Sequence, residues 1–200
     1  LLSAQIGLSG YETVARERSA KHIAEAIRAE VKPDIPFYSV LIGLEIEGVA
    51  RVGAACFPAL DEVLYAADDL GAWCNDKRVH VSEVNEMKKA VFTFTSWSGF
   101  RTKKRLDILE NLHRDCFFGR GWGDAYGVYL AATGRTEIHV EPVVALWDVA
   151  PFPPIFREAG GYFGSWSGEE GHTHGEGLAV NAALRSKVLK LTRSQKAKSP

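Results

Sequence analysis

The 200 residues are 46% hydrophobic and 24% charged, a balance that excludes wholesale disorder and allows one sizeable core. A formal net charge of -1 argues against a nucleic-acid partner held by phosphate contacts, and the Lys/Arg cluster at 101–105 reads as a solvated helix face. Cys56, Cys74 and Cys116 form no Cys-x-x-Cys pair, which removes a zinc ribbon or disulfide scaffold and fits a reducing cytoplasm.

No long apolar run and no charged-then-apolar leader stands in the sequence, so neither a membrane span nor a signal peptide is expected. In chain order, 13–30 reads as an amphipathic helix with Val14, Ile23, Ala26 and Ile27 on one face and Thr13 as its cap. From Phe37 the period changes. Residues 37–46, 49–57 and 62–66 are β-rich and joined by short links, which predicts an antiparallel meander. A buried strand follows at 90–95, then one helix from about Arg101 to His113 and a short strand at 115–118. Residues 124–133 form a helix stopped by Gly134. A strand at 136–140 precedes a helix at 147–159, with Pro151 tolerated in its first turn and Gly160-Gly161 as its end. A strand at 178–180, a helix at 182–191 and a polar, fraying tail complete a layered α/β protein with two sheets.

Two acids stand at predicted helix starts. Asp148 there is ordinarily a cap, taking hydrogen bonds from free N–H groups; a carboxylate facing a cleft can equally hold a hard cation. Asp124, in Gly121-Trp-Gly-Asp-Ala-Tyr-Gly127, is likewise a cap or an acid beside a substrate, with Gly123 letting the backbone approach a ligand. His172-Thr-His174 could clip a transition metal, but its Gly-rich surroundings make a solvent loop the better reading. His22, His80, His113 and His139 are scattered, each a surface or satisfied core residue.

Trp147-Asp-Val-Ala-Pro151 with Glu158-Ala-Gly-Gly161 resembles the C-terminal signature of the inositol monophosphatase superfamily. Ile35 to Glu45, Gly71-Ala-Trp-Cys-Asn75, Val128 to Arg135 and Ala179-Val-Asn181 resemble further pieces in family order. The resemblance implies a fructose-1,6-bisphosphatase/inositol monophosphatase-like fold, an α/β (α+β) layered sandwich. It also implies a single domain of two closely packed lobes, about 1–97 and 98–192, and often a homodimer. The activity implied is Mg2+-dependent hydrolysis of a small-molecule phosphate in the cytoplasm, with neither nucleic acid nor membrane as partner. Asp148 would be a metal ligand near the leaving-group oxygen.

The departures are as informative. The family's Asp-Pro-Ile/Leu-Asp-Gly-Thr loop and its upstream Gly-Glu-Glu are absent, and Arg16 stands where an acid belongs. Gly168-Glu-Glu170 lies at the wrong end of the chain to replace them. Segments are therefore expected to be missing near 12/13 and 34/35; a genuine deletion, giving a metal-deficient homologue used for binding, is the alternative. For substrate, Gly123-Asp-Ala-Tyr-Gly127 resembles the version in histidinol-phosphate phosphatases of this superfamily. Asp124, with Glu141 as a second acid, would pair with an ammonium and an imidazole. Inositol 1-phosphate, and behind it nucleotide or sugar bisphosphates, are the alternatives.

Overall fold

A computed structural model describes residues 2–8 and 37–193. The predicted helix at 13–30, the junctions at 12/13 and 34/35, and the chain past 193 lie outside them. Six strands form the first sheet: β1 (Leu2–Leu8), β2 (Val40–Ile46), β3 (Val49–Phe57), β4 (Glu62–Ala67), β5 (Ala72–Cys74) and β6 (Lys77–Arg78), each antiparallel to the next. Glu47 and Gly48, both at positive φ, make the tight β2–β3 turn, as a two-residue hairpin with right-handed strand twist requires. The predicted meander is present. Its first strand starts at Val40 rather than 37, and ahead of it the Phe37 ring stacks on Tyr126, with centroids 4.2 Å apart.

The second sheet has the order β10 (Gly161–Gly164), β11 (Gly177–Asn181), β9 (Ile138–Glu141), β7 (Val91–Phe94), β8 (Phe118–Arg120). β9 and β8 run parallel to β7, while β11 is antiparallel to both β9 and β10. Between the sheets lie α3 (Asp124–Ala132) and α5 (Phe152–Ala159). They share a core in which Leu41, Phe57 and Leu64 of the first sheet meet Tyr129, Phe152, Phe156 and Phe163. A second core joins Phe92, Ile138 and Val180 of the second sheet to α1 (Trp97–Thr102), α2 (Leu106–Asp115) and α6 (Arg185–Thr192) through Phe100, Leu109 and Val188.

Three predicted elements are corrected. The helix expected from Arg101 is two helices, broken at Lys103–Arg105 where Lys104 takes a positive φ. The helix at 147–159 is also two, α4 (Leu146–Val149) and α5. Pro151 lacks an N–H to carry the ladder across, and Pro153 and Pro154 sit in the first turn of α5, where no such bond is needed. The strand expected at 115–118 is displaced to β8, because α2 runs on to Asp115. Four strands went unread: β1, β5, β6 and β10. All but β1 have four residues or fewer, too short for alternation to show.

Candidate active site

The register of the parallel pair β7 and β9 sets Thr93 opposite His139 and Phe94 opposite Val140. Alternation along each strand then brings Thr93 and Thr95, and His139 and Glu141, to one face. They form a buried chain of hydrogen bonds. Glu141 Oε2 accepts from the Thr95 hydroxyl at 2.5 Å, and Oε1 lies 2.7 Å from His139 Nε2. His139 Nδ1 lies 2.7 Å from Thr93 Oγ1. Glu141, His139 and Thr93 are all buried.

Helix α3 lies against this face through two glycines. A Cβ on Gly123 would collide with Thr95, and one on Gly127 with the His139 ring. Gly123 thus allows α3 a close approach to Thr95, just past the end of β7. Asp124 opens α3 in the left-handed region, at φ 55°, which asparagine and aspartate tolerate better than most residues. Its side is open to solvent, yet its carboxyl is pushed above the usual carboxylate range. Lost solvation is the larger cause and the charge of Glu141 the second. Asp124 and Glu141 are therefore electrostatic neighbours.

Asp148 is half-buried on α4 at its third residue, not at the cap, which is Ala145; its Oδ2 reaches back to accept from the Ala145 N–H at 3.1 Å. Its segment is seated by a second glycine pair, Gly43 and Gly53, opposite each other in β2 and β3. A Cβ on Gly43 would come within 2.7 Å of Ala150 Cβ, and one on Gly53 would strike the Pro151 carbonyl. Among the described residues no three His, Cys, Asp or Glu side chains converge as a metal-binding group.

Other singled-out residues have structural partners. His172 is buried rather than in a solvent loop: its Nε2 pairs with Glu45 Oε2 at 2.9 Å, tying the Gly-rich loop to β2. His174 lies beside Glu169 and Glu170 instead, so the two imidazoles face different partners. Glu158, from the Glu-Ala-Gly-Gly signature, accepts from the N–H groups of Asp69 at 2.9 Å and Gly71 at 2.7 Å, closing the β4–β5 turn. Thr95 and His139 were missed as partners of Glu141, and Thr93 as the partner of His139. The spacing of two along each strand is the signal that would have found them.

Two sheets with helices between and beyond, and an acidic corner where α3 meets β7 and β9, define a layered α/β protein. The pattern of the inositol monophosphatase family matches residues 20–197, and the chain belongs to that family. The histidinol-phosphatase of Chlorobaculum parvum is 36% identical over 156 residues, covering 77% of this chain and 60% of that protein. The histidinol-phosphatase of Streptomyces coelicolor is 33% identical over 164 residues, covering 78% and 62%. The solved extragenic suppressor protein SuhB of Bartonella henselae superposes with a TM-score of 0.73 at 28% identity, over 80% of this chain and 63% of its own. The fold is therefore that of the inositol monophosphatases, and the chain spans about three fifths of the curated relatives it matches. No helix among the described residues is long and apolar enough to cross a membrane.

Proposed function

We propose that the chain is part of a phosphomonoesterase that releases phosphate from a small cationic ester, with histidinol phosphate as the best-fitting substrate, a step of histidine biosynthesis. The observation that carries this reading is the neighbourhood of Asp124 and Glu141 at one corner of the site. Two acids side by side suit an ammonium and an imidazole, whereas a neutral polyol calls for hydroxyl partners. Relatives named histidinol-phosphatase at 36% and 33% identity support the same choice. Inositol 1-phosphate is the alternative substrate.

Magnesium is the inferred cofactor. The family generally uses divalent metals, and a solved relative with 16% identity was seen with Mg2+ and phosphate. Bound in such a site, the ion polarises the phosphate and stabilises the leaving oxygen. Asp148 would supply one carboxylate to it, at the N-terminal turn of α4. Asp124 and Glu141 would hold and orient the organic part of the ester. Free thiols at Cys56, Cys74 and Cys116 fit a reducing cytoplasm, and a homodimer follows from the family resemblance.

A second reading rests on the direct junction of Asp34 with Ile35, where the family's metal loop is lacking. Such a chain would bind a small phosphate without hydrolysing it. Magnesium-dependent phosphate release from histidinol phosphate and inositol 1-phosphate, with binding measured alongside, separates these outcomes. Binding without release favours the second reading. A preference for inositol phosphate that Asp124→Ser leaves unchanged would sink the cationic substrate.

A further inference from the structure

The pair behind Glu141 has no assigned role in that reading. His139 is 1% exposed and Thr93 fully buried, and they face each other across β7 and β9. A threonine hydroxyl has one proton to give. Two acceptors lie near it: His139 Nδ1 at 2.7 Å and the Ile138 carbonyl at 3.4 Å. Glu141 as a carboxylate can only accept, so Nε2 is a donor, and in a neutral ring Nδ1 then takes the Thr93 proton. Nδ1 is then an acceptor, the imidazole is neutral, and its proton sits on Nε2, 2.7 Å from Glu141 Oε1. The ring is also pinned in place, because Gly127 of α3 packs directly on its Cε1–Nδ1 edge.

We infer that His139, locked by Thr93 as the Nε2–H tautomer, is a positioning residue that keeps Glu141 a charged carboxylate for a cationic substrate. The inference rests on the cationic reading above, since Glu141, not His139, would touch the ligand. A carboxylate withdrawn from water stays charged only where donors replace the water. Thr95 and His139 are two such donors, and both are neutral, so they hold the charge without cancelling it. A lysine or an imidazolium in that place would spend the negative charge internally. The titratable groups near the ring are Glu141 on β9, in contact with it, and Asp124 on α3, while Thr93 of β7 and Thr95 just after it present hydroxyls.

Nitrogen NMR of the 15N-labelled protein reads the tautomer directly. His139 is expected to carry its proton on Nε2 with a bare Nδ1, and Thr93→Val to move population toward the Nδ1–H form. A wild-type ring protonated on Nδ1 overturns the inference whatever the substrate. Calorimetry with histidinol, and with myo-inositol as the neutral comparator, reads the consequence. His139→Leu is expected to weaken histidinol about tenfold or more while inositol stays within about twofold, as loss of one bond to a charged group predicts. His139→Gln, whose amide N–H replaces Nε2–H, restores histidinol to within about threefold. Equal weakening of both ligands, or no rescue by His139→Gln, refutes the role. A wild-type protein that holds histidinol no better than inositol shows instead that the cationic reading has failed, and the inference falls with it even where the tautomer is as expected.

Discussion

Gly53 of β3 faces the carbonyl oxygen of Pro151 so closely that no Cβ fits between them. The contact seats the junction of α4 and α5 on the first sheet, and α4 carries Asp148. Gly53→Ala must push that junction away. Overpacking of this kind costs about 1–3 kcal/mol, which lowers the melting temperature of a chain this size by several degrees. Thermal denaturation of the variant checks it; an unchanged midpoint would mean that the junction does not rest on β3.

Asp148 combines a hydrogen bond with a charge, and the two can be parted. An Asn amide oxygen can accept the same Ala145 N–H, so Asp148→Asn should cost less stability than Asp148→Ala, which gives up one hydrogen bond worth about 0.5–1.5 kcal/mol. Under the proposed function, Asp148→Asn should also lower phosphate release by at least about 10–100-fold, the cost of disturbing a metal site. Urea unfolding and a phosphate assay on the same preparations test both halves. Full turnover in Asp148→Asn would remove the metal role and leave only the hydrogen bond.

Asp124 has a carboxyl held above its ordinary range in the folded chain. Between the unfolded and folded values the native state binds the extra proton, so stability is fullest below that window and declines as pH rises through it. Asp124→Asn removes the decline. The variant should be the more stable protein at pH 7, with the difference vanishing below about pH 3.9, the ordinary aspartate value. Melting curves taken from pH 3 to 7.5 read this directly; a wild type that gains on the variant as pH rises would contradict it. In the binding assay the same change should weaken histidinol about tenfold, as loss of a charged partner does.

Cys116 is buried at the end of α2, and burial pushes its thiol from the ordinary 9.0 up to about 12. Three units less acidity means about a thousandfold less thiolate near neutral pH, and the thiolate is the reactive form. Alkylation by iodoacetamide at pH 8 should therefore spare Cys116 in the native protein and reach it in urea. Mass spectrometry of the labelled peptides gives the result; rapid native labelling would show a thiol that is neither buried nor suppressed.

The order of strands and helices from Phe37 onward was largely readable, because apolar periodicity reports which face is buried. Breaks inside helices were less so. Pro151 was read as tolerable in a first turn, yet it divides α4 from α5, since α4 had already begun at Leu146. The acid pair was partly visible. Asp124 and Glu141 were named from a family pattern, but Thr95, one of the two side chains that hold Glu141, lies 46 residues away in the chain. His172 shows the same limit: a Gly-rich neighbourhood looks solvated until Glu45 arrives from β2 at 2.9 Å.

Composition, periodicity and the Trp147-to-Gly161 motif were enough to set the family and the two-sheet α/β class, because both are written in local pattern and short spacing. Only the tertiary structure decided that Glu158 closes a turn, that Gly53 makes room for Pro151, and that Thr93 and Thr95 meet His139 and Glu141. Each is a contact between distant parts of the chain. Strand register and helix docking create it, and no single stretch of sequence encodes either.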